Sequence, residues 1–144
     1  MDLFAVDELK RVFISPDVDD WKSLEQHNIT AIIDLDGDLD IGVPTVPNHL
    51  VYVYFPIQDG ELPDLKKLHA VARLGANLVE HGHNVLSHCG MGFNRSALVA
   101  GIILTHLGME GKEVVKLLQE KRPGALFNEK FCEYLRSLPK MPKI

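Results

Sequence analysis

Apolar residues fall into short runs separated by polar or glycine- and proline-rich stretches, and the period within each run predicts its element. Val12-Phe13-Ile14 predicts a short strand closed by Ser15-Pro16. Asp19 to Asn28 predicts a helix with Trp21 and Leu24 on one buried face. Ile29 to Leu35 is β-branched and apolar and predicts a strand. Leu50 to Phe55 is apolar at odd and even positions, the pattern of a strand buried on both faces. Pro63 opens a long helix in which Leu65, Leu68, Ala72, Gly75 and Leu78 recur at intervals of three and four, with Gly82 at the C-terminal cap. Asn84 to His88 predicts the next strand, and Arg95 to Leu107, apolar nearly all round, a central buried helix. Glu110 to Lys121 reads as an amphipathic helix, and Asn128 caps a last one carrying Phe131, Cys132, Leu135 and Leu138. Asp36 to Asn48, with Gly37, Gly42, Pro44 and Pro47, reads as a loop. The alternation predicts an α/β fold, a central, mostly parallel sheet of four or five strands flanked by helices.

Composition narrows the setting. The 144 residues are 46% hydrophobic and 24% charged, proportions that suit one globular domain over 1–144. Fifteen Lys+Arg against 20 Asp+Glu leave a net charge of −5, which argues against nucleic acid as the main partner. The longest apolar stretch, Ala97 to Leu104, is too short to cross a bilayer, so no membrane partner is expected. The start Met1-Asp2 has no cationic lead or apolar signal core, and two cysteines cannot form a disulfide framework. Both features predict a cytoplasmic protein with reduced thiols. Oligomeric state is not legible in these patterns.

The segment that carries chemistry is His88-Cys89-Gly90-Met91-Gly92-Phe93-Asn94-Arg95-Ser96, between a predicted strand and the predicted central helix. Ligands of open α/β sheets bind beyond the carboxyl ends of strands, where helix N-termini attract anions. Gly90 and Gly92 let the backbone curl so that successive N–H groups point inward. Arg95 adds a planar fork able to hold two phosphoryl oxygens. Such surroundings are expected to lower the pKa of Cys89 from its free value of about 8.5 and leave an exposed, nucleophilic thiolate. Reading Cys89 as a core thiol and Arg95 as a surface charge explains neither the glycines nor the strand-loop-helix placement.

This segment resembles the active-site loop C-x₅-R-S/T of cysteine-dependent protein phosphatases, and the short chain resembles the small dual-specificity phosphatases along nearly its whole length. The resemblance implies a protein-tyrosine-phosphatase-like fold and hydrolysis of phosphate monoesters through a phosphocysteine intermediate, without metal or cofactor. It implies Cys89 as nucleophile, Arg95 as phosphate clamp and the amides of Gly90, Met91, Gly92, Phe93, Asn94 and Arg95 as the phosphate cradle. It further implies that Ser96 hydrogen-bonds the sulfur and eases its departure, while His88 orders the loop and tunes the thiolate. The family places an aspartic acid about thirty residues before the cysteine. Here Asp59, followed by Gly60 and flanked by Pro56 and Pro63, is the candidate general acid, with Glu61 and Asp64 as weaker ones. Arg122-Pro123 and Asn128 resemble a family segment that braces the loop; Phe127 replaces its usual proline, and Phe131 matches its aromatic residue.

Other signals are weaker. Asp34-Leu35-Asp36-Gly37-Asp38 resembles the aspartyl motif of haloacid dehalogenase-type phosphatases but lacks the accompanying residues, and reads as a polar loop. His81 and His83 have no companions to complete a metal site and read as decoration of a helix end. Cys132 has Leu138 where an arginine would stand and reads as core. Rhodanese-type sulfurtransferases share the cysteine cradle, but their commonest loop is shorter than the five residues between Cys89 and Arg95. No lysine occurs within that loop, which disfavours a polyphosphorylated substrate. The expected partner is a phosphorylated protein or small phosphomonoester, with phosphotyrosine and phosphoserine/threonine both admitted to a shallow pocket. The alternatives are a catalytically silent phosphate-binding module and a phosphatase of a non-protein substrate such as a phospholipid.

Overall fold

In a computed structural model, which describes residues 1–141, five strands form one sheet. In chain order the elements are β1 (Phe4–Ala5), β2 (Val12–Ser15), α1 (Trp21–Gln26), β3 (Ile29–Asp34), β4 (Val51–Tyr54), α2 (Leu65–Glu80), β5 (Asn84–His88), α3 (Arg95–His106), α4 (Gly111–Lys121) and α5 (Glu129–Ser137). The lateral order is β1-β2-β5-β3-β4; β1 runs antiparallel to β2 and every other pair is parallel.

Alternation along the strands sorts their side chains onto two faces. Val12, Ile14, Ala31, Ile33 and Val85 face the larger apolar cluster, which also takes the buried sides of α2, α3, α4 and α5. Phe13, Ile32 and Leu86 face the opposite way, onto Leu24 of α1. Helix α3 is buried from Ser96 through His106, as an all-apolar pattern demands. Among the described residues no helix is long and apolar enough to cross a membrane.

Two expectations are corrected. The strand predicted over Leu50 to Phe55 forms, but not as one buried on both faces. It is the sheet's edge strand, with Val51 and Tyr54 each 40% exposed. Hydropathy reports side-chain character, whereas lateral strand order decides what covers it. The first helix is also shorter than Asp19 to Asn28, because Asp20 caps it by accepting from the N–H groups of Lys22 and Ser23. On α2, Leu65 is exposed and Leu78 only half-buried, while Ala76 and Val79 are buried. Gly82 lies past the end of that helix at φ +89, and β1 is an addition the pattern did not announce.

Parallel pairing aligns the carboxyl ends of four strands. Ser15 and Asp34 flank His88 in register, and Tyr54 lies beside Asp34. The next residue of each chain segment therefore leaves the sheet at a common edge, at the amino end of α3.

Candidate active site

Cys89 follows the central strand β5, and its own N–H donates to Ser15 O at 3.3 Å. The loop then wraps its side chain. Gly92 N–H donates to Cys89 Sγ at 3.3 Å, and Ser96 Oγ lies 3.4 Å from the same sulfur. Gly92 has φ +75, and a Cβ there would fall 2.7 Å from Pro16 N and 2.8 Å from the Ser15 carbonyl carbon. Both facts require glycine, since an L side chain would be strained and would collide with the corner after β2. The expected exposed sulfur is not found, because the loop closes around Cys89 and leaves it 2% exposed.

The preceding Asn94 has no capping bond to the amino end of α3. Among the described residues no side chain caps the first-turn N–H groups of α3, and such groups attract anions. The amide of Asn94 instead ties two other segments together. Its Nδ2 donates to Asp59 Oδ2 at 2.9 Å, and its Oδ1 accepts from Asn128 N–H at 2.9 Å. Asn128 Nδ2 donates to Asp59 Oδ1 at 2.9 Å and to Gly60 O at 3.1 Å, while Asn128 Oδ1 accepts from Phe131 N–H and caps α5. The structure therefore brings Asp59, Asn94 and Asn128 together through side chains. Each carboxylate oxygen of Asp59 retains a second lone pair for a proton. Glu61 pairs with Lys130 and Asp64 caps α2 by accepting from Lys67 N–H, so neither joins this group.

Arg95 Nη1 lies 3.3 Å from Asp36 Oδ1 and donates to Ile57 O at the same distance. Asp36 also approaches the loop at Gly90, whose Cβ position is 3.7 Å from both of its carboxylate oxygens. Burial alone would raise the Asp36 carboxyl. The Gly37 N–H, a hydrogen bond from Asp17 and the Arg95 guanidinium outweigh it and hold the group below its usual range. Asp17 is pushed up by burial, by that shared hydrogen bond and by the charge of Asp36.

His88 is buried, with Nε2 at 2.7 Å from Asp40 Oδ2 and 3.6 Å from Asp34 Oδ1. Asp34 also accepts from the Tyr52 hydroxyl and from Asp36 N–H, and Tyr52 Oη accepts from Asp40 N–H at 2.9 Å. Burial raises both the Asp40 carboxyl, against the opposing pull of His88, and the Tyr52 hydroxyl, which Asp34 raises further. Asp34, Asp40 and His88 are close enough to share a cation, but their facing atoms are already engaged with one another and with Tyr52. The reading of Asp34 to Asp38 as a polar loop is corrected at its first residue: Asp34 ends β3 and is fully buried, and Asp36 pairs with the arginine of the cysteine loop.

Arg122 braces the loop from outside. Its guanidinium is sandwiched between the rings of Phe4 at 4.4 Å and Phe93 at 3.9 Å, and donates to the carbonyls of Gly92 and Met91. Leu126 adopts φ +63 and donates its N–H to Phe93 O at 2.9 Å. Phe127 is exposed, its ring 6.0 Å from that of Phe93. Cys132 lies in the apolar core, and both cysteines are free thiols. His83 meets the Thr30 hydroxyl, and His81 Nδ1 lies 2.8 Å from the Asn77 carbonyl at the helix end.

Sequence reasoning missed Asp17, Asp34, Asp36, Asp40 and Tyr52, which gather at the loop from three other segments. The only available signal was the density of aspartates after a predicted strand. A concavity of about 510 Å³ lies elsewhere, over Leu104, Leu107, Met109 and Leu117, and includes none of the cysteine-loop residues.

The model of the family described as "Polymorphic toxin system, DSP-PTPase phosphatase" matches residues 10–109, a span that includes Asp59 and the whole cysteine loop. The chain belongs to that phosphatase family, and its fold is that of the dual-specificity phosphatases. Tk-PTP in its active form is 25% identical, with 94% of this chain and 95% of that one covered at a TM-score of 0.72. A mouse putative dual specificity phosphatase complexed with zinc tungstate is 22% identical, covering 93% and 84% at a TM-score of 0.77. The human tyrosine phosphatase-like serine/threonine/tyrosine-interacting protein is 20% identical, covering 93% of each chain at a TM-score of 0.74. A search of curated protein sequences gives no match.

Proposed function

We propose that the chain hydrolyses phosphate monoesters of protein tyrosine and serine/threonine side chains through a phosphocysteine intermediate. The observation that carries this reading is the sulfur of Cys89, met by the Gly92 N–H and the Ser96 hydroxyl inside a loop that ends on an uncapped helix. The inward amides from Gly90 to Arg95 and the Arg95 fork bind the phosphoryl oxygens and stabilise charge on them through the transition state.

In the first step the thiolate of Cys89 attacks phosphorus. The S–P bond forms, the ester P–O bond breaks, and Asp59 transfers a proton to the departing oxygen. In the second step Asp59 removes a proton from water, whose oxygen bonds to phosphorus as the S–P bond breaks. The Ser96 hydroxyl donates to the departing sulfur. The tether from Asn94 and Asn128 suits both steps, because it keeps the Asp59 carboxyl beside the loop without covering it by backbone.

Phosphate release from p-nitrophenyl phosphate by the pure protein, under reductant and with chelator, tests the reading. Activity is expected in wild type and absent in Cys89→Ser. Activity that survives in that variant, or that chelator removes, overturns the mechanism. A silent phosphate-binding module would bind phosphate and release none from the ester; the presence of Cys89, Arg95 and Asp59 together speaks against it. The lysine-free loop supports a singly phosphorylated substrate over a phosphoinositide. Parallel assays of phosphopeptides and phospholipids decide between them. The two free thiols, Cys89 and Cys132, support a reducing, cytoplasmic setting.

A further inference from the structure

Asp40 lies in the irregular segment between β3 and β4, flanked by Leu39 at 61% and Ile41 at 91% exposure. Its own side chain turns inward and is 7% exposed. There it meets His88 Nε2 at 2.7 Å, on a ring that is wholly buried and belongs to the residue before the nucleophile. A carboxylate only accepts, so the proton of that bond sits on Nε2. Among the described residues, Nδ1 of the same ring is buried with no partner, and Asp40 is the one direct hydrogen-bond partner of the imidazole. Asp34 stands 3.6 Å from Nε2, too far for a hydrogen bond, and is already engaged by Tyr52 and Asp36 N–H.

We propose that Asp40 is a positioning residue for the nucleophile: by holding His88 Nε2–H, it fixes the ring that sets the corner from β5 into the cysteine loop. This deepens the phosphatase reading and rests on it. Backbone bonds also hold the corner, from Leu35 N–H to His88 O at 3.0 Å and from Cys89 N–H to Ser15 O at 3.3 Å. Without Asp40, a buried Nε2–H would have no acceptor, and the ring would pivot or draw in water, disturbing the residue beside Cys89. The groups facing this ring are Asp34 from the end of β3, Asp40 itself and Asp17 from the segment after β2, with Tyr52 of β4 joining the first two.

The test compares Asp40→Asn, which keeps an acceptor of the same shape, with Asp40→Leu, which does not; Asp40→Ser replaces leucine if that variant does not fold. Nitrogen-15 NMR of the histidines is expected to show His88 as the Nε2–H tautomer in wild type and Asp40→Asn, and as a mixture in Asp40→Leu. Asp40→Leu is expected to lower kcat for p-nitrophenyl phosphate 10- to 100-fold, with inhibition by inorganic phosphate changed less than twofold. Asp40→Asn should stay within threefold of wild type. In a His88→Gln background, Asp40→Leu should cause no further loss. An unchanged tautomer in Asp40→Leu overturns the proposal, as does a loss that adds in full to that of His88→Gln. Absence of turnover in wild type sinks the phosphatase reading instead. Positioning is then read from the rate at which iodoacetamide alkylates Cys89, expected to fall about tenfold in Asp40→Leu and unchanged if the proposal is wrong.

Discussion

The two ends of α3 treat buried polar side chains in opposite ways. At the amino end Asn94 and Ser96 are buried, and each reaches across to another segment or to the sulfur. At the carboxyl end His106 is also buried, yet among the described residues neither ring nitrogen has a partner. Its neighbours there are the ring of His69, 5.8 Å away and itself bonded to the Tyr134 hydroxyl, and the charge of Arg73. Burial first, then His69 and Arg73, push the His106 pKa below its usual value, and burial lowers that of His69. One end presents helix N–H groups, which attract negative charge; at the other, burial favours the neutral imidazole. Substitutions at the first should therefore be read in catalysis, and substitutions at the second in stability.

The sharpest break would come from Cys89→Ser. It should abolish turnover while leaving the melting temperature close to wild type, as measured by phosphate release and thermal denaturation. Asp59→Ala ranks next. Loss of general acid catalysis is worth about 10²–10⁴-fold, and the alkaline limb of the pH–rate profile, which reports loss of the acid's proton, should flatten with it. A full bell in that variant would remove Asp59 from the role.

Asn128→Ser separates the tether from the cap. Serine still caps α5, so thermal stability should change little. The amide donated to Asp59 and Gly60 O is lost, and kcat should fall about tenfold with KM nearly unchanged, a loss near 1.4 kcal/mol in the transition state. An equal fall in melting temperature and kcat would mean that Asn128 serves the helix alone.

The smallest effect belongs to the carboxyl end. A histidine whose folded pKa lies below its unfolded value is fully stabilising above about pH 6.5, and that contribution is lost as pH falls through the folded value. Melting temperature should therefore drop on going from pH 7.5 to 5.5. His106→Leu should flatten part of that drop, by about 2–4 °C for each kcal/mol recovered. His69 accounts for some of the remainder. Turnover at pH 7 should be untouched, and a change in kcat would erase the distinction between the two ends.

The cysteine loop was legible because its parts are contiguous: strand, glycines, arginine and apolar helix follow one another, so a local reading encounters them together. Asp59 was picked out by the resemblance, which expects an aspartate about thirty residues before the cysteine, and the structure ties it to Asn94 of the loop. Arg122 and Asn128 were found only by resemblance, since nothing in their own spacing says that they reach the loop. Asp34 to Asp38 reads as a polar loop, and composition alone does not say what these aspartates meet. Asp34, Asp36 and Asp40 acquire their partners from β4, β5 and α3, which no window along the chain contains. The same blindness made Leu50 to Phe55 a strand buried on both faces, although it lies at one edge of the sheet and is partly exposed.

By itself, the order of residues determined the elements other than β1, the central helix and the composition of one loop, because hydrophobic period and loop composition act over a few residues. Only the tertiary structure decided which strand lies beside which. That lateral order, β2-β5-β3-β4, puts Asp34 against His88 and the loop carrying Asp40 over its ring. Sheet pairing is a long-range choice, settled when whole faces are buried together, and the surroundings of Cys89 follow from it.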